Sequence, residues 1–257
     1  MLEAIRRLLQ QLGGALVFYT IVPLPSAWPL DFQRIARWAP WIGLLVGVLL
    51  AGTNFLLLQI PLSSFLRGVL VLVVWIAITG GLHLDGAIDT ADGLAVPDPA
   101  RRLAVMSDSR TGAYGAIAAI VLILLKVGAI ADLSSPQACS VLILAPIWGR
   151  WGQLVAIARY PYLKAEGKGA FHRCSLQLPQ DLWPSLLLLA AIGIIPVWLG
   201  PDRWVSHLGQ FALGSILSWS VGAWFYRRLR GMTGDSYGAI VEWTEALLTC
   251  CLSIAIH

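Results

Sequence analysis

Residues 71–93 read VLVVWIAITGGLHLDGAIDTADG. An uncharged apolar run ends at Gly80 and Gly81, and three aspartates follow, Asp85, Asp89 and Asp92, with His83 just ahead of them. A carboxylate inside hydrocarbon is expensive, so acids at such a boundary mark an exit from the bilayer or a functional group. The stretch predicts an apolar membrane helix that delivers an acidic stripe to one edge of the membrane.

The rest of the chain agrees with a membrane setting. It has 257 residues, of which 58% are hydrophobic and 12% charged, with a mean hydropathy of +0.74. Soluble globular domains carry about 25% charged residues. An all-α, polytopic integral membrane bundle is therefore expected, since helices satisfy their own backbone hydrogen bonds in lipid. The net charge of +4 is small and scattered, which argues against a nucleic-acid partner. Cys139, Cys174, Cys250 and Cys251 have neither zinc-ligand spacing nor a disulfide framework. Walker A, GxGxxG, GxSxG and HExxH sequences are all absent, which removes the common soluble nucleotide-binding and hydrolase classes.

Seven stretches are long enough to cross: 41–60, 66–84, 112–131, 138–158, 183–200, 207–226 and 237–256. No repeat is visible, so residues 1–257 read as one membrane-embedded domain. The N-terminal stretch, with Arg6, Arg7, Gln10 and Gln11 and a stop at Pro23 and Pro25, reads as an interfacial or re-entrant helix rather than a signal peptide. With the N-terminus inside, all of the 18 Lys and Arg residues except Arg67, Arg203, Lys126 and Arg150 fall in inner segments. That asymmetry follows the positive-inside rule for a multi-pass membrane protein. Lys126 is expected to snorkel from the outer end of its helix, and Arg150, deeper in its span, needs a partner.

If the second span continues as a helix, positions 85, 89 and 92 are i, i+4 and i+7 and share a face. Three carboxylates stacked this way repel one another unless a cation intervenes, and their oxygens suit Mg²⁺ or Mn²⁺. His83 is a candidate hydrogen-bonding group. The segment MSDSRTGAYGA, residues 106–116, adds Asp108 and Arg110, the latter a planar fork suited to phosphate. In RRLRGMTGDSYGAIVEWTEALL, residues 227–248, Asp235 sits at the interface while Glu242 and Glu245, at i and i+3, enter the last span and face the bundle. They are candidates for metal or substrate binding, with packing as the bland alternative. Arg150 serves equally as a partner for one of them or as a substrate contact. Lys164, Lys168, Arg173 and His172, with Gly167 and Gly169, make a basic loop that could lie over an anionic substrate. Acids for a metal and arginines for phosphates thus open on one side, the cytoplasmic edge, as phosphoryl transfer requires.

The segments GGLHLDGAIDTADG, DSRTGAYGA, GRWGQLVAIARYPY and GMTGDSYGAIVEWTE, with VFYTIVPLP and RWAPWIGLLVG near the N-terminus, resemble the cobalamin synthase (adenosylcobinamide-GDP ribazoletransferase) family over nearly the whole chain. The resemblance implies an Mg²⁺-dependent membrane enzyme of vitamin B12 assembly. Such an enzyme joins adenosylcobinamide-GDP to α-ribazole or its 5′-phosphate and releases GMP. It also implies that Asp85, Asp89 and Asp92 match the family's acidic motif, Glu242 and Glu245 its C-terminal acidic pair, and Asp108 and Arg110 its middle motif. The lipid bilayer is the expected surroundings, and a homo-oligomer is compatible with the sequence. The residues themselves leave two other classes open. One is a CDP-alcohol type phosphotransferase, whose longer aspartate signature does not fit. The other is an ion-coupled transporter, whose sites usually lie near the midplane between repeats.

Overall fold

The computed structural model describes residues 2–133, 135–164 and 168–256. Among these residues every regular element is helical: α1 (Leu2–Tyr19), α2 (Ala39–Leu57), α3 (Ser64–Thr79), α4 (Leu82–Ala95), α5 (Pro99–Val105), α6 (Ala113–Asp132), α7 (Ser135–Arg159), α8 (Lys168–Ser175), α9 (Trp183–Leu199), α10 (Trp204–Leu229) and α11 (Gly234–Ile256). Short 3₁₀ turns precede α2, α9 and α10. The seven expected stretches fall on α2, α3, α6, α7, α9, α10 and α11. Five described helices are long and apolar enough to cross a bilayer, six if α3 and α4 together form one broken span. The α10 helix has the length but is diluted by Ser206, His207, Gln210 and six further serines and glycines, of which Gly214, Ser218 and Gly222 are buried.

The second span does not run on into the aspartates. Gly80 and Gly81 both take positive φ, 60° and 68°, a region open to glycine at little cost. There the chain turns by 91°, and α4 starts as a separate helix. The three aspartates still share one helix, but that helix lies across the end of α3 rather than extending it.

Small residues bring the helices close, as is common where lipid tails remove the hydrophobic drive for association. On α2 a Cβ at Gly47 would come 2.7 Å from Ile143 Cα of α7, and on α3 one at Gly68 would come 2.8 Å from the Val127 carbonyl of α6. The interior is apolar, built around residues such as Ile42, Val46, Trp75, Leu142, Leu154 and Ile240. The outer face is equally apolar, with Val73, Leu124, Leu187, Ile194, Trp198 and Ile216 exposed. A surface that greasy suits a hydrocarbon solvent.

Several charges inside the bundle are paired with protein groups. Arg67 donates to Asn54 Oδ1 and to the carbonyls of Ile130 and Leu133, at 3.2 and 3.1 Å, near the C-terminal end of α6, where a cation is favoured. At the N-terminal side Asp181, fully buried, pairs with Arg34 and Arg37 and accepts from the Gln177 N–H at 2.7 Å. This ties the entry to α9 onto the turn before α2. The α1 helix joins the same network through Gln11, which bonds Asp31 and Arg37.

Candidate active site

The α4 and α11 helices cross at two glycines. A Cβ at Gly86 would lie 2.6 Å from the Asp235 carbonyl oxygen, and one at Gly238 would lie 2.9 Å from that of His83. This backbone contact brings HLDGAID of α4 alongside GDSYGAI of α11. The start of α11 is fixed by a reciprocal cap: Thr233 N–H donates to Ser236 Oγ at 2.8 Å, and Ser236 N–H donates to Thr233 Oγ1 at 3.1 Å. Asp235 therefore sits in the first turn, where helix-dipole electrostatics favour an anion.

A cavity of about 170 Å³ opens at this crossing. Its lining includes His83, Asp85, Gln153, His172, Asp235 and Tyr237, drawn from α4, α7, α8 and α11. Asp89, one turn along α4, is within electrostatic reach of Asp85, Asp235 and Asp92, and of Lys164. The chain after α7 returns to this place because Leu163 N–H donates to the Met232 carbonyl, and Met232 N–H to that of Pro161, both at 2.8 Å. Lys164 Nζ thereby reaches Asp235 Oδ2 at 3.3 Å.

The acidic stripe divides. Asp92 accepts the N–H of Gly112 at 2.7 Å and that of Gly115 at 2.8 Å, so both its oxygens hold the start of α6. It borders a second cleft, shared with Arg101, Asp108 and Arg110. There Arg110 Nη2 pairs with Asp108 Oδ2 at 2.7 Å in an exposed position, and that hydrogen-bonded pair holds the Asp108 carboxyl down at about 2. Both clefts adjoin α4, which contributes Asp85 to the first and Asp92 to the second.

Two further expectations are corrected. Glu242 and Glu245 do not join the aspartates. Lys126 Nζ donates to both, at 2.7 Å each, and Arg150 Nη1 donates to Glu245 Oε1 at 2.9 Å. All four side chains are buried, and Lys126 also lies 4.2 Å from the centre of the Trp75 ring. The acidic pair is thus matched by lysine and arginine, which is the partner role that stood open for Arg150 beside a substrate contact; Arg150 Nε and Nη2 are buried without a protein partner. Lys126 does not snorkel, because its partners are inside. Among the described residues no three His, Cys, Asp or Glu groups converge tightly enough to hold an ion unaided. The site instead offers carboxylates in pairs, which fits Mg²⁺, an ion usually bound by one or two carboxylates with substrate phosphates and water completing the shell.

Gln153, Tyr237 and the placement of His172 were missed by the sequence reading. Gln153 follows Arg150 by three residues, one turn on, and a glutamine in a membrane span is a polar signal in its own right. The α8 helix that carries His172 is held by Arg173, whose Nη1 donates to the carbonyls of Ile157 and Ala158 at 2.8 and 2.6 Å. The His172 ring meets Phe18 edge-on at 4.8 Å and stacks on Tyr19 at 6.2 Å. Burial lowers its pKa to about 4, so it is neutral near pH 7. Gly167 of the expected flap lies outside the described residues.

A family model described as cobalamin-5-phosphate synthase matches residues 11–253, a span that contains every element of this site. The chain belongs to that family. A protein of Synechococcus elongatus named adenosylcobinamide-GDP ribazoletransferase is 51% identical over 247 residues, covering 95% of this chain and 96% of its own length. Proteins of the same name from Trichormus variabilis and Brevibacillus brevis are 48% and 37% identical, covering 97% and 91% of this chain and 99% and 94% of their own lengths. No solved structure matches. Cobalamin-5-phosphate synthase membership favours the transferase reading over the phospholipid-type and transporter alternatives.

Proposed function

We propose that this chain is an adenosylcobinamide-GDP ribazoletransferase that joins adenosylcobinamide-GDP to α-ribazole or its 5′-phosphate and releases GMP. The observation that carries the reading is the convergence of His83 and Asp85 of α4 with Asp235 of α11 on one cavity, in a chain related over nearly its full length to proteins of that name. With α-ribazole as acceptor, its 5′-oxygen forms a bond to the phosphorus nearest cobinamide. The anhydride bond from that phosphorus to GMP breaks, and the hydroxyl proton leaves.

Asp85 and Asp89 are the residues that would hold Mg²⁺, with phosphate oxygens completing the shell. When bound, the ion neutralises charge on the two phosphates. Asp92 sets the position of α6 and, with it, of Asp108 and Arg110; the Arg110 guanidinium, in the neighbouring cleft, would meet departing phosphate charge. His83 Nε2 is buried on the cavity wall with no protein partner and would be a proton acceptor within the same chamber as the ribazole. The clustering of basic segments at this end of the bundle supports a cytoplasmic active face in the bacterial inner membrane.

The test is GMP release by the purified full chain in nanodiscs, supplied with adenosylcobinamide-GDP, α-ribazole and Mg²⁺. Asp89→Asn is expected to lower the rate by about 100-fold or more, the order lost with one transition-state charge contact. Wild-type protein that forms no GMP, or an Asp89→Asn variant near wild-type rate, refutes the assignment.

A further inference from the structure

The inner wall of the cavity carries four polar atoms without a protein partner: His83 Nε2, Gln153 Oε1, His172 Nδ1 and Tyr237 Oη. Their side chains are each at least nine-tenths buried, with relative exposures of 2, 5, 3 and 1%. Buried polar groups in folded proteins are almost always bonded, and leaving one unmade is costly. Four of them around one opening, on four different helices, mark a place built for a polar guest.

The size of the opening narrows the guest. At about 170 Å³ it is well under the roughly 300–1,000 Å³ of pockets for drug-sized ligands. Neither a guanosine diphosphate nor a corrin macrocycle fits, whereas a single five-membered ring does. The chemistry narrows it further. A benzimidazole base linked to a sugar retains one ring nitrogen, an acceptor for one of the four wall groups. A ribose ring brings hydroxyls that both donate and accept, which suits the acceptor Gln153 Oε1, the hydroxyl of Tyr237 and two imidazole nitrogens alike. The rim of the same cavity is Asp85 and Asp235, so a sugar seated inside would present its 5′-oxygen where the phosphorus chemistry takes place.

We propose that this chamber is the seat of the acceptor's ribose ring, with Gln153 and Tyr237 reading its secondary hydroxyls; the proposal rests on the ribazoletransferase reading. The donor is then bound outside it, on the exposed side of Asp85, Asp89 and Arg110.

Initial rates of GMP release in nanodiscs separate the two levels. Tyr237→Phe and Gln153→Leu each remove a polar group with little change in shape, from different helices. Each is expected to raise the KM for α-ribazole by about two- to tenfold, the range for one hydrogen bond. The KM for adenosylcobinamide-GDP should stay within about twofold. The 2′-deoxy and 3′-deoxy forms of α-ribazole supply the second arm. For at least one of them, the loss in the wild type should shrink in a variant, because the partner is already gone. Losses that simply multiply for both analogues in both variants overturn the proposal, as does a rise confined to the donor KM. Should either variant fail to fold, the wild type still decides: equal use of α-ribazole and both deoxy forms also overturns it. Wild-type protein that releases no GMP instead refutes the parent reading, and the chamber assignment falls with it.

Discussion

Replacing Lys126 by methionine tests the buried charge cluster whose two glutamates were candidates for metal or substrate binding, with packing as the alternative. Lys126, Arg150, Glu242 and Glu245 sum to zero charge, and each is buried. The Lys126 Nζ contacts at 2.7 Å to both glutamates, and its position over Trp75, make it the hub. Lys126→Met keeps the chain length and apolar stem but leaves two carboxylates facing Arg150 alone. Breaking a buried pair by removing one partner costs about 3–5 kcal/mol, so a loss of that size is expected. Glu242→Gln alone leaves the opposite imbalance, one excess positive charge. The double variant Lys126→Met/Glu242→Gln is neutral again, because the Glu245–Arg150 pair at 2.9 Å remains. It should therefore be more stable than Lys126→Met, with a coupling of about 2–3 kcal/mol between the two sites. Reversible denaturation in mixed micelles, followed by tryptophan fluorescence, measures all four corners of the cycle. Single effects that add within about 0.5 kcal/mol would show that the charges do not sense one another. Activity supplies a second reading: the double variant should keep Mg²⁺-stimulated GMP release, which a metal-ligating Glu242 would forbid.

Two further outcomes follow from local geometry. Gly115→Ala should destabilise by about 1–3 kcal/mol, since its Cβ would meet Asp92 and lie 2.7 Å from Ile88 Cγ2 and 2.9 Å from the Ile88 carbonyl. Gly128→Ala in the same helix, with nothing within 4 Å of its Cβ, should be neutral or slightly stabilising in the same melts. His172, with its pKa lowered to about 4 by burial against an ordinary value of 6.5, binds no proton in the folded state between those values, while the unfolded chain does. The folded state should therefore lose up to about 3 kcal/mol as pH falls from about 6.5 to about 4, and His172→Gln should flatten that part of the thermal-stability profile. A slope unchanged by the substitution would place the pH sensitivity elsewhere.

Much of the architecture was legible because its signals are local. Apolar length located seven long helices, of which five described ones, or six with the broken α3–α4 pair, are apolar enough to cross. The spacing of Asp85, Asp89 and Asp92 located an acidic helix face. What that spacing could not convey is that Gly80 and Gly81 would turn the helix by 91° before the aspartates begin. Tandem glycines are a turn signal, yet within an apolar run they are also ordinary packing residues. Nor does periodicity say which neighbour a face will meet. Asp85 faces α11 across the Gly86–Gly238 crossing, whereas Asp92, two turns on, has its oxygens taken by the N–H groups of Gly112 and Gly115.

The charged residues within the spans show the same limit more sharply. Glu242 and Glu245 are acids sharing one helical face, and so are Asp85 and Asp89; nothing in the local pattern separates a pair that awaits a cation from one that already has one. The cations are Lys126 and Arg150, 116 and 95 positions away from the glutamates they bond. A lysine near the expected end of a helix can reach the membrane surface or turn inward, and only the opposing helix decides. Lys126 and Arg150 balance Glu242 and Glu245 inside the bundle, whereas at the α4–α11 crossing Asp85, Asp89 and Asp235 stand together with Lys164 as the cation paired there among the described residues. The excess negative charge thus lies beside the one polar chamber at that crossing, and it is there, rather than in the buried tetrad, that a divalent cation and its phosphate ligands would lower the electrostatic energy.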